Sequence, residues 1–258
     1  MVGRIPAPRK LQRDHDLLPL ISELKAAHPF WGYRRIWANL RYGHGIEVNQ
    51  KRVSRIMKLY GLGVDKKQYK ARRKADTIKP RSVRPNQWWG IDMTKVMTDG
   101  GWVYIVVVID WFTKRLVGYK ADYQSKSSHW LNALDMAVQA VFPDGVKGQG
   151  LNIMSDNGSQ PTSVKFMSAC GVMGINQAFT SYNNPKGNAD TERFIRTMKE
   201  ELLWLNEYGG LNELKQNLDD WALYYNHSYL HSSLKYKTPI QAQQIYYQQE
   251  NNTLLKAA

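Results

Sequence analysis

Three acidic residues lie where side-chain packing gives no reason for a carboxylate. Asp92 lies inside the apolar segment WWGIDMT, Asp156 directly follows the apolar LNIM, and Glu192 falls in the first turn of a predicted helix. A charge within an apolar strand costs several kcal/mol unless it is paired or binds a metal ion. Clustered carboxylates suit phosphodiester chemistry, because metal ions held by them stabilise charge on the entering and leaving oxygens.

Each of these acids also has an ordinary explanation. Asp92 could face solvent on its strand. The Asp-Asn-Gly that begins at Asp156 is a common turn sequence. A glutamate near a helix N-terminus compensates the helix dipole, which would account for Glu192. The three signals therefore carry weight only together.

The elements that would position these acids alternate between strands and helices. Three successive strands are predicted in WWGIDMTKV, GWVYIVVVIDWF and RLVGYKADY. A helix over 127–142, a short strand in LNIMSD, a helix in SVKFMSACGVMG and a fifth strand in INQAFTSY follow. Helical spacing then covers 189–204 and 211–225, with Phe194, Met198 and Leu202 inward in the first. This order predicts an α/β fold.

Three short helices are predicted before these strands, and they suggest a helix-turn-helix unit. The third starts at the capping residue Asn49 and carries Val53, Ile56, Met57 and Tyr60 inward. A basic, apolar-poor linker follows. The candidate DNA-binding residues of the helices and linker are Arg34, Arg35, Lys51, Arg52, Arg55, Arg72, Arg73 and Lys74. A solvated helix face is the alternative explanation for the helical arginines.

The charge distribution favours nucleic acid as a partner. Of the 258 residues, the first 86 hold 21 Lys and Arg against 6 Asp and Glu, whereas the remainder holds 15 against 16. A one-sided basic excess is expected of a polyanion binder, because Lys and Arg displace counterions from phosphates. Acidic lipid and simple solubility remain the alternatives.

Composition excludes several classes of protein. A single cysteine, Cys170, excludes an intrachain disulfide framework and an all-cysteine zinc site. The longest apolar run, VYIVVVI, is far too short for a membrane helix, and the N-terminus has no apolar segment typical of a signal peptide. We therefore expect a cytoplasmic, nucleoid-associated protein with no membrane partner.

The sequences that flank the acids resemble those of a known family. Between Asp156 and Glu192 are 35 residues, flanked by SDNGSQ and NNPKGNADTERFIRTMKEE. These closely resemble the sequences around the last two catalytic acids of insertion-sequence transposases and retroviral integrases. HPFWGYRRIWANLRYGHGIEVNQKRVSRIMKLYGL and YYNHSYLHSSLKYKTPIQA also resemble transposases, most closely the second-frame protein of the insertion sequence three family. The resemblance runs from about Leu17 to Gln243.

The resemblance implies a ribonuclease-H-like core, a mixed five-stranded sheet flanked by helices, on which Asp92, Asp156 and Glu192 converge. The implied ions are Mg²⁺ or Mn²⁺, because the ligands are oxygens, which hard cations prefer. Two ions are expected at the site. The implied reaction frees a 3′ end and then uses its hydroxyl for strand transfer. The predicted domains are a helix-turn-helix-like module over 1–62, a basic linker over 63–85, the core over 86–245 and a C-terminal tail over 246–258.

Cations beside Glu192 are further candidates for DNA contact. Glu192, Arg196 and Lys199 share one helix face, which suits phosphate gripping, and Arg193 is a further candidate. A salt-bridged exposed face involving Glu200 and Glu201 is the alternative.

Two trailing features have no catalytic assignment. Tyr225, Asn226 and His231 belong to the trailing motif, whose role the residues do not reveal. His227 and His231 have zinc-ligand spacing but no third ligand nearby, so packing is the preferred interpretation.

The implied partners are double-stranded DNA, both element ends and target, and further copies of the chain in a dimer or larger assembly. The sequence has no zinc-binding front module, and neither the heptad run nor the first DNA-binding module of the full frameshifted transposase. An upstream first-frame protein or fusion is therefore expected. A structure-selective nuclease on the same fold and a DNA-binding regulator without catalysis are the alternatives, although three intact acids argue against the regulator.

Overall fold

The first helices pack through one apolar face each. The computed structural model describes residues 14–64, 80–180 and 187–257. In it α1 is Leu18–Ala27, α2 is Tyr33–Ala38 and α3 is Gln50–Leu59, and α2 continues as one π-helical turn, Asn39–Gly43. Ile21, Ile36 and Ile56, one from each helix, are fully buried. The predicted helical front region is therefore confirmed.

The start of α3 was predicted correctly and its end was not. The Asn49 side chain accepts a hydrogen bond from the backbone N–H of Lys51 at 2.8 Å, as a helix N-cap does. The predicted inward residues are buried except Tyr60, which is 42% exposed. The helix ends at Leu59, and Gly61 follows at a φ of +67°. Because the chain leaves the helix there, helical spacing does not apply to Tyr60.

The chain divides into two units, Met1–Arg72 and Arg73–Ala258. The division falls within the segment predicted as a linker, most of which lies outside the described residues. The predicted domain limits remain predictions.

The second unit is built on a mixed sheet of five strands among the described residues. The strands are β1 Trp88–Thr98, β2 Gly101–Asp110, β3 Leu116–Asp122, β4 Asn152–Ser155 and β5 Asn176–Phe179. They lie in the order β3-β2-β1-β4-β5, with the first three antiparallel and β4 parallel to both β1 and β5. The predicted strands and the predicted fold class are confirmed.

Helices cover both faces of the sheet, and the side chains of β1 point alternately to one face and to the other. The helices are α4 Ser127–Val141, α5 Val164–Met173, α6 Ala189–Met198, α7 Leu211–His227 and α8 Pro239–Ala257. Trp89 and Ile91 enter a core formed with α4 and α5. Gly90, between them, faces the start of α6. Since side chains alternate along a strand, Asp92 lies on the α6 face.

The helix α8 was not predicted from the sequence, which gave no helix after 211–225. Its Gln-rich sequence has no clear apolar face. The available signal was the word Thr-Pro-Ile-Gln. The backbone N–H of Gln241 donates to Thr238 Oγ1 at 3.2 Å, and the N–H of Thr238 donates to Gln241 Oε1 at 3.1 Å. This is a capping box with proline at the first helical position.

Within the described ranges, none of the helices has the length and apolar character needed to cross a membrane.

Candidate active site

Asp92 lies half-buried on the central strand β1. Its Oδ1 accepts a hydrogen bond from the backbone N–H of Met93 at 2.7 Å. The pKa of the Asp92 carboxyl is raised to about 6: burial contributes most, the charges of Asp156 and Glu192 add to the increase, and the Met93 hydrogen bond and Lys199 oppose it. The other two predicted acids and one cation, Lys199, therefore lie close enough to Asp92 to change its pKa.

Asp156 comes to Asp92 through the parallel pairing of β4 with β1. Met154 is paired with Gly90, and each acid follows two residues later on its own strand. Asp156 is exposed, and its Oδ1 accepts from the backbone N–H of Gly158 at 3.0 Å. The Asp-Asn-Gly segment is therefore a turn closed by the Asp156 side chain, and the charge of Asp156 acts on Asp92. Gln160 anchors the following loop by donating to the carbonyl of Ser125 at 3.1 Å.

Glu192 is exposed near the start of α6, where its backbone N–H donates to the carbonyl of Asn188. The described residues contain no group of three or more His, Cys, Asp or Glu side chains close enough together to hold a metal ion. The charges of Asp156 and Glu192 thus act on Asp92, but the three acids are not close enough together to be ligands of one ion. Repulsion between like charges opposes closer approach unless a cation is present.

The start of α6 lies directly on β1. A Cβ at Gly90 would come within 1.9 Å of Thr191 Oγ1 and 2.4 Å of Trp111 Nε1, so only glycine permits this approach. Trp111 Nε1 donates to Thr191 Oγ1 at 3.1 Å. Asn188, the residue before α6, is buried and has no capping hydrogen bond of its own; its Nδ2 lies 3.5 Å from Asp92 Oδ2. The sequence analysis missed these residues, because no local pattern marks a close approach between segments 100 residues apart.

The predicted cations beside Glu192 differ in their contacts. Arg193 is exposed. Arg196 Nε donates to Glu200 Oε1 at 2.8 Å, so the alternative of a salt-bridged face describes this residue. Lys199 lies close enough to lower the pKa of Asp92.

The basic residues of the first unit fall into two groups. Arg34 is exposed and lies over the Tyr33 ring, Lys51 is exposed, and Arg35 is half-buried. Arg52 and Arg55, also candidates for DNA contact, bind the fully buried Asp14, with Arg52 Nε at 3.0 Å from Oδ1 and Arg55 Nη2 at 2.7 Å from Oδ2. Arg72, Arg73 and Lys74 lie outside the described residues.

The trailing motif binds the turn between β2 and β3. Asn226 Oδ1 accepts from the N–H of Leu116 at 3.0 Å, while its Nδ2 donates to the Leu116 carbonyl at 2.9 Å. The Tyr225 hydroxyl donates to the carbonyl of Lys114 at 3.0 Å. The His231 ring lies 5.1 Å from Tyr225 and 4.9 Å from Tyr229, in an aromatic cluster, whereas His227 is exposed. This placement supports packing over zinc binding for His231.

Family comparisons agree with this architecture. An HTH-like domain matches residues 12–72, and two integrase core domain families match residues 82–185 and 173–239. A transposase for insertion sequence element IS904 from Lactococcus lactis is 32% identical over 209 residues, covering 76% of this chain and 80% of that protein. A putative transposase for insertion sequence element IS986/IS6110 from Mycobacterium tuberculosis is 28% identical over 263 residues, covering 96% and 94%.

Among solved structures, a chain of the simian T-cell lymphotropic virus intasome, determined with a PP2A regulatory subunit, aligns with a TM-score of 0.54. The identity is 18%, and the alignment covers 86% of this chain and 74% of that one. At this identity the similarity concerns the fold.

Proposed function

The chain belongs to the insertion-sequence transposases of the insertion sequence three family, with an integrase core, and we propose that it cuts and joins DNA ends using Asp92, Asp156 and Glu192 as its metal-binding carboxylates. Transposition of a mobile element is the family's function, and its chemistry is polynucleotidyl transfer. The finer assignment of the three acids, the 3′-end cleavage and the strand transfer is our proposal.

The observation that carries the proposal is the perturbed carboxyl of Asp92. Its pKa is raised to about 6, mainly by burial and in part by the charges of Asp156 and Glu192, which are remote in sequence. Structural carboxylates are normally paired with cations instead of being grouped with one another. A group of acids that disfavour one another's charge is expected where a divalent cation offsets that charge.

The donor set fits Mg²⁺ or Mn²⁺. The candidate ligands are carboxylate oxygens, which hard cations prefer, and Cys170 is buried in the core away from them. Two bound ions would stabilise charge on the entering and leaving oxygens of the phosphodiester. The hydrogen bond from the Met93 N–H would fix the orientation of the Asp92 carboxylate. Lys199 would offset part of the negative charge and contact a phosphate.

Double-stranded DNA is the proposed partner, as both element ends and target. In the first unit, the exposed Arg34 and Lys51 are the better candidates for phosphate contact, because Asp14 already neutralises part of the charge of Arg52 and Arg55, and Arg35 is a further candidate. Arg193, Arg196 and Lys199 are the candidates next to the acids, and Arg72, Arg73 and Lys74 remain predictions. We further propose that the chain acts as a dimer or larger assembly on paired ends, with an upstream first-frame protein or fusion.

The test is strand transfer on labelled candidate-end DNA with Mg²⁺ or Mn²⁺, comparing wild type with Glu192→Gln and the control Glu207→Gln. Glu207 is an exposed glutamate between α6 and α7. We expect Glu192→Gln to lose joined products by more than about 100-fold, since residues that merely orient metal ligands cost 10- to 100-fold. DNA binding, followed by fluorescence anisotropy, should persist in both variants.

The outcomes separate the alternatives. Full joining activity in Glu192→Gln would contradict the assignment of the third acid. Cleavage without joined products in wild type would indicate a structure-selective nuclease. DNA binding without either product, even with an upstream region supplied, would indicate a regulator.

A further inference from the structure

The turn between β2 and β3 contains a lysine in a backbone conformation that favours glycine. Lys114 has a φ of +63°, and its N–H donates to the Asp110 carbonyl at 2.8 Å. The buried Asp110 carboxylate also accepts from the Thr113 N–H at 3.0 Å. A strained non-glycine residue persists when its surroundings fix it, and such residues concentrate at functional sites. The surroundings therefore hold Lys114 in this conformation, and this sets the direction of its side chain.

The side chains of the turn grip the first turn of α6. Lys114 Nζ lies 3.2 Å from Asp190 Oδ1. Trp111 Nε1 donates to Thr191 Oγ1 at 3.1 Å, and both residues are buried. Asp190 and Thr191 immediately precede Glu192. The turn therefore contacts both residues before the third proposed acid.

The rear of the same turn is held by the trailing motif. The Tyr225 hydroxyl binds the carbonyl of Lys114, and the Asn226 amide makes two hydrogen bonds to the backbone of Leu116. The Tyr225 ring also meets the Phe194 ring of α6 edge to face at 5.0 Å. Tyr225 thus contacts both the turn and the helix that carries Glu192.

We propose that Lys114, held by Tyr225 and Asn226, is a positioning residue for Glu192. The turn fixes Asp190 and Thr191, and they fix the register and rotation of the first turn of α6, which sets where the Glu192 carboxylate meets a metal ion. A ligand must be held within about 0.5 Å of its productive position. This inference rests on the proposed function, because it assigns Glu192 to metal binding.

The test measures Mn²⁺ binding to the full chain by isothermal titration calorimetry, together with the melting temperature. The variants are Lys114→Gly, the conservative Lys114→Arg, and Lys235→Gly as a matched control. Lys235 is an exposed lysine with a φ of +55° in the turn before α8. Both glycine variants relieve the same backbone strain, and only Lys114→Gly removes the contact with Asp190. Glu192→Gln measures the dependence on the proposed ligand itself.

We expect Lys114→Gly to weaken Mn²⁺ binding about tenfold, the lower end of the range for residues that orient metal ligands. Its melting temperature should stay within about 3 °C of wild type, because a partly exposed ion pair contributes little and glycine suits the conformation. Lys114→Arg should recover most of the affinity, and Lys235→Gly should match wild type.

The results distinguish this inference from the function on which it rests. Weakened binding in Glu192→Gln with wild-type binding in Lys114→Gly would overturn the positioning role alone. Unchanged Mn²⁺ binding in Glu192→Gln would overturn both. Equal losses in Lys114→Gly and Lys235→Gly would also overturn the inference, because chain flexibility would then explain them.

Discussion

Replacing Gly90 with alanine tests how closely α6 must approach β1. The added Cβ would lie 1.9 Å from Thr191 Oγ1 and 2.4 Å from Trp111 Nε1. Thr191 and Trp111 are 0% and 3% exposed, so neither side chain can rotate into solvent. The start of α6 must therefore move away from β1 by roughly 1.5 Å to restore a normal contact. That movement separates Glu192 from Asp92.

The expected cost has two parts. Overpacking of this kind destabilises a fold by about 1–3 kcal/mol. A displacement of about 1 Å at a reacting centre lowers the rate by about 100-fold. Denaturant unfolding would measure the first, and strand transfer under conditions where the variant remains folded would measure the second. Gly90→Ala combined with Thr191→Ala should recover part of the stability, because the closest contact is removed.

Gly118→Ala provides the matched control for overpacking. Its Cβ would lie 2.3 Å from the carbonyl oxygen of Ala133, where β3 packs on α4, on the face of the sheet away from the three acids. It should lose comparable stability and keep its activity when folded. Unaltered stability and activity in Gly90→Ala would refute the close approach. Equal activity losses in both variants would show that stability, and not site geometry, governs the rate.

Two further predictions concern buried carboxylates. Without metal, Asp92→Asn should stabilise the chain by on the order of 1–3 kcal/mol above pH 6, because the raised pKa of Asp92 makes its ionised form unfavourable. This gain in stability should vanish near pH 4, and denaturant unfolding at several pH values measures it. A gain that persisted at pH 4 would contradict ionisation of Asp92 as its cause. Asp14→Asn should weaken the first unit by about 1–3 kcal/mol at neutral pH, read as faster hydrogen exchange in α3. Burial alone would raise the pKa of Asp14, but hydrogen bonds from Arg55 and Arg52 outweigh it and lower the pKa below 3.8. The stability advantage of the wild type over Asp14→Asn should therefore be lost as the pH falls below that value. Equal hydrogen-exchange rates in the two proteins at neutral pH would contradict the role of Asp14.

The sheet could be predicted from the sequence because its strands are local patterns. The apolar run in β2 is visible within a few residues, and β2 formed as expected. The three acids were recognised because their flanking words resemble a family, whereas composition and spacing left each with an ordinary explanation.

The missed features depend on contacts between distant segments. Arg52 and Arg55 pair with the buried carboxylate of Asp14, and nothing near Asp14 in the sequence indicates this pairing. The role of Gly90 depends on Thr191, 101 residues later. Periodicity reports which face of a helix is apolar, but it does not report which charged residue finds a buried partner.

The three proposed acids differ in how their positions are fixed, and this difference explains why contacts around Glu192 matter most. Asp92 is paired with Val107 of β2, so backbone pairing fixes its Cα. Asp156 follows β4 directly and inherits the register of its pairing with β1. Glu192 lies on a helix, and no strand ladder sets the helix's rotation or its advance along β1. Its precision must come from side chains, which are those of Trp111, Lys114 and Asn188 together with the space left by Gly90. Substitutions at those positions should therefore affect metal binding more than their effect on stability would suggest.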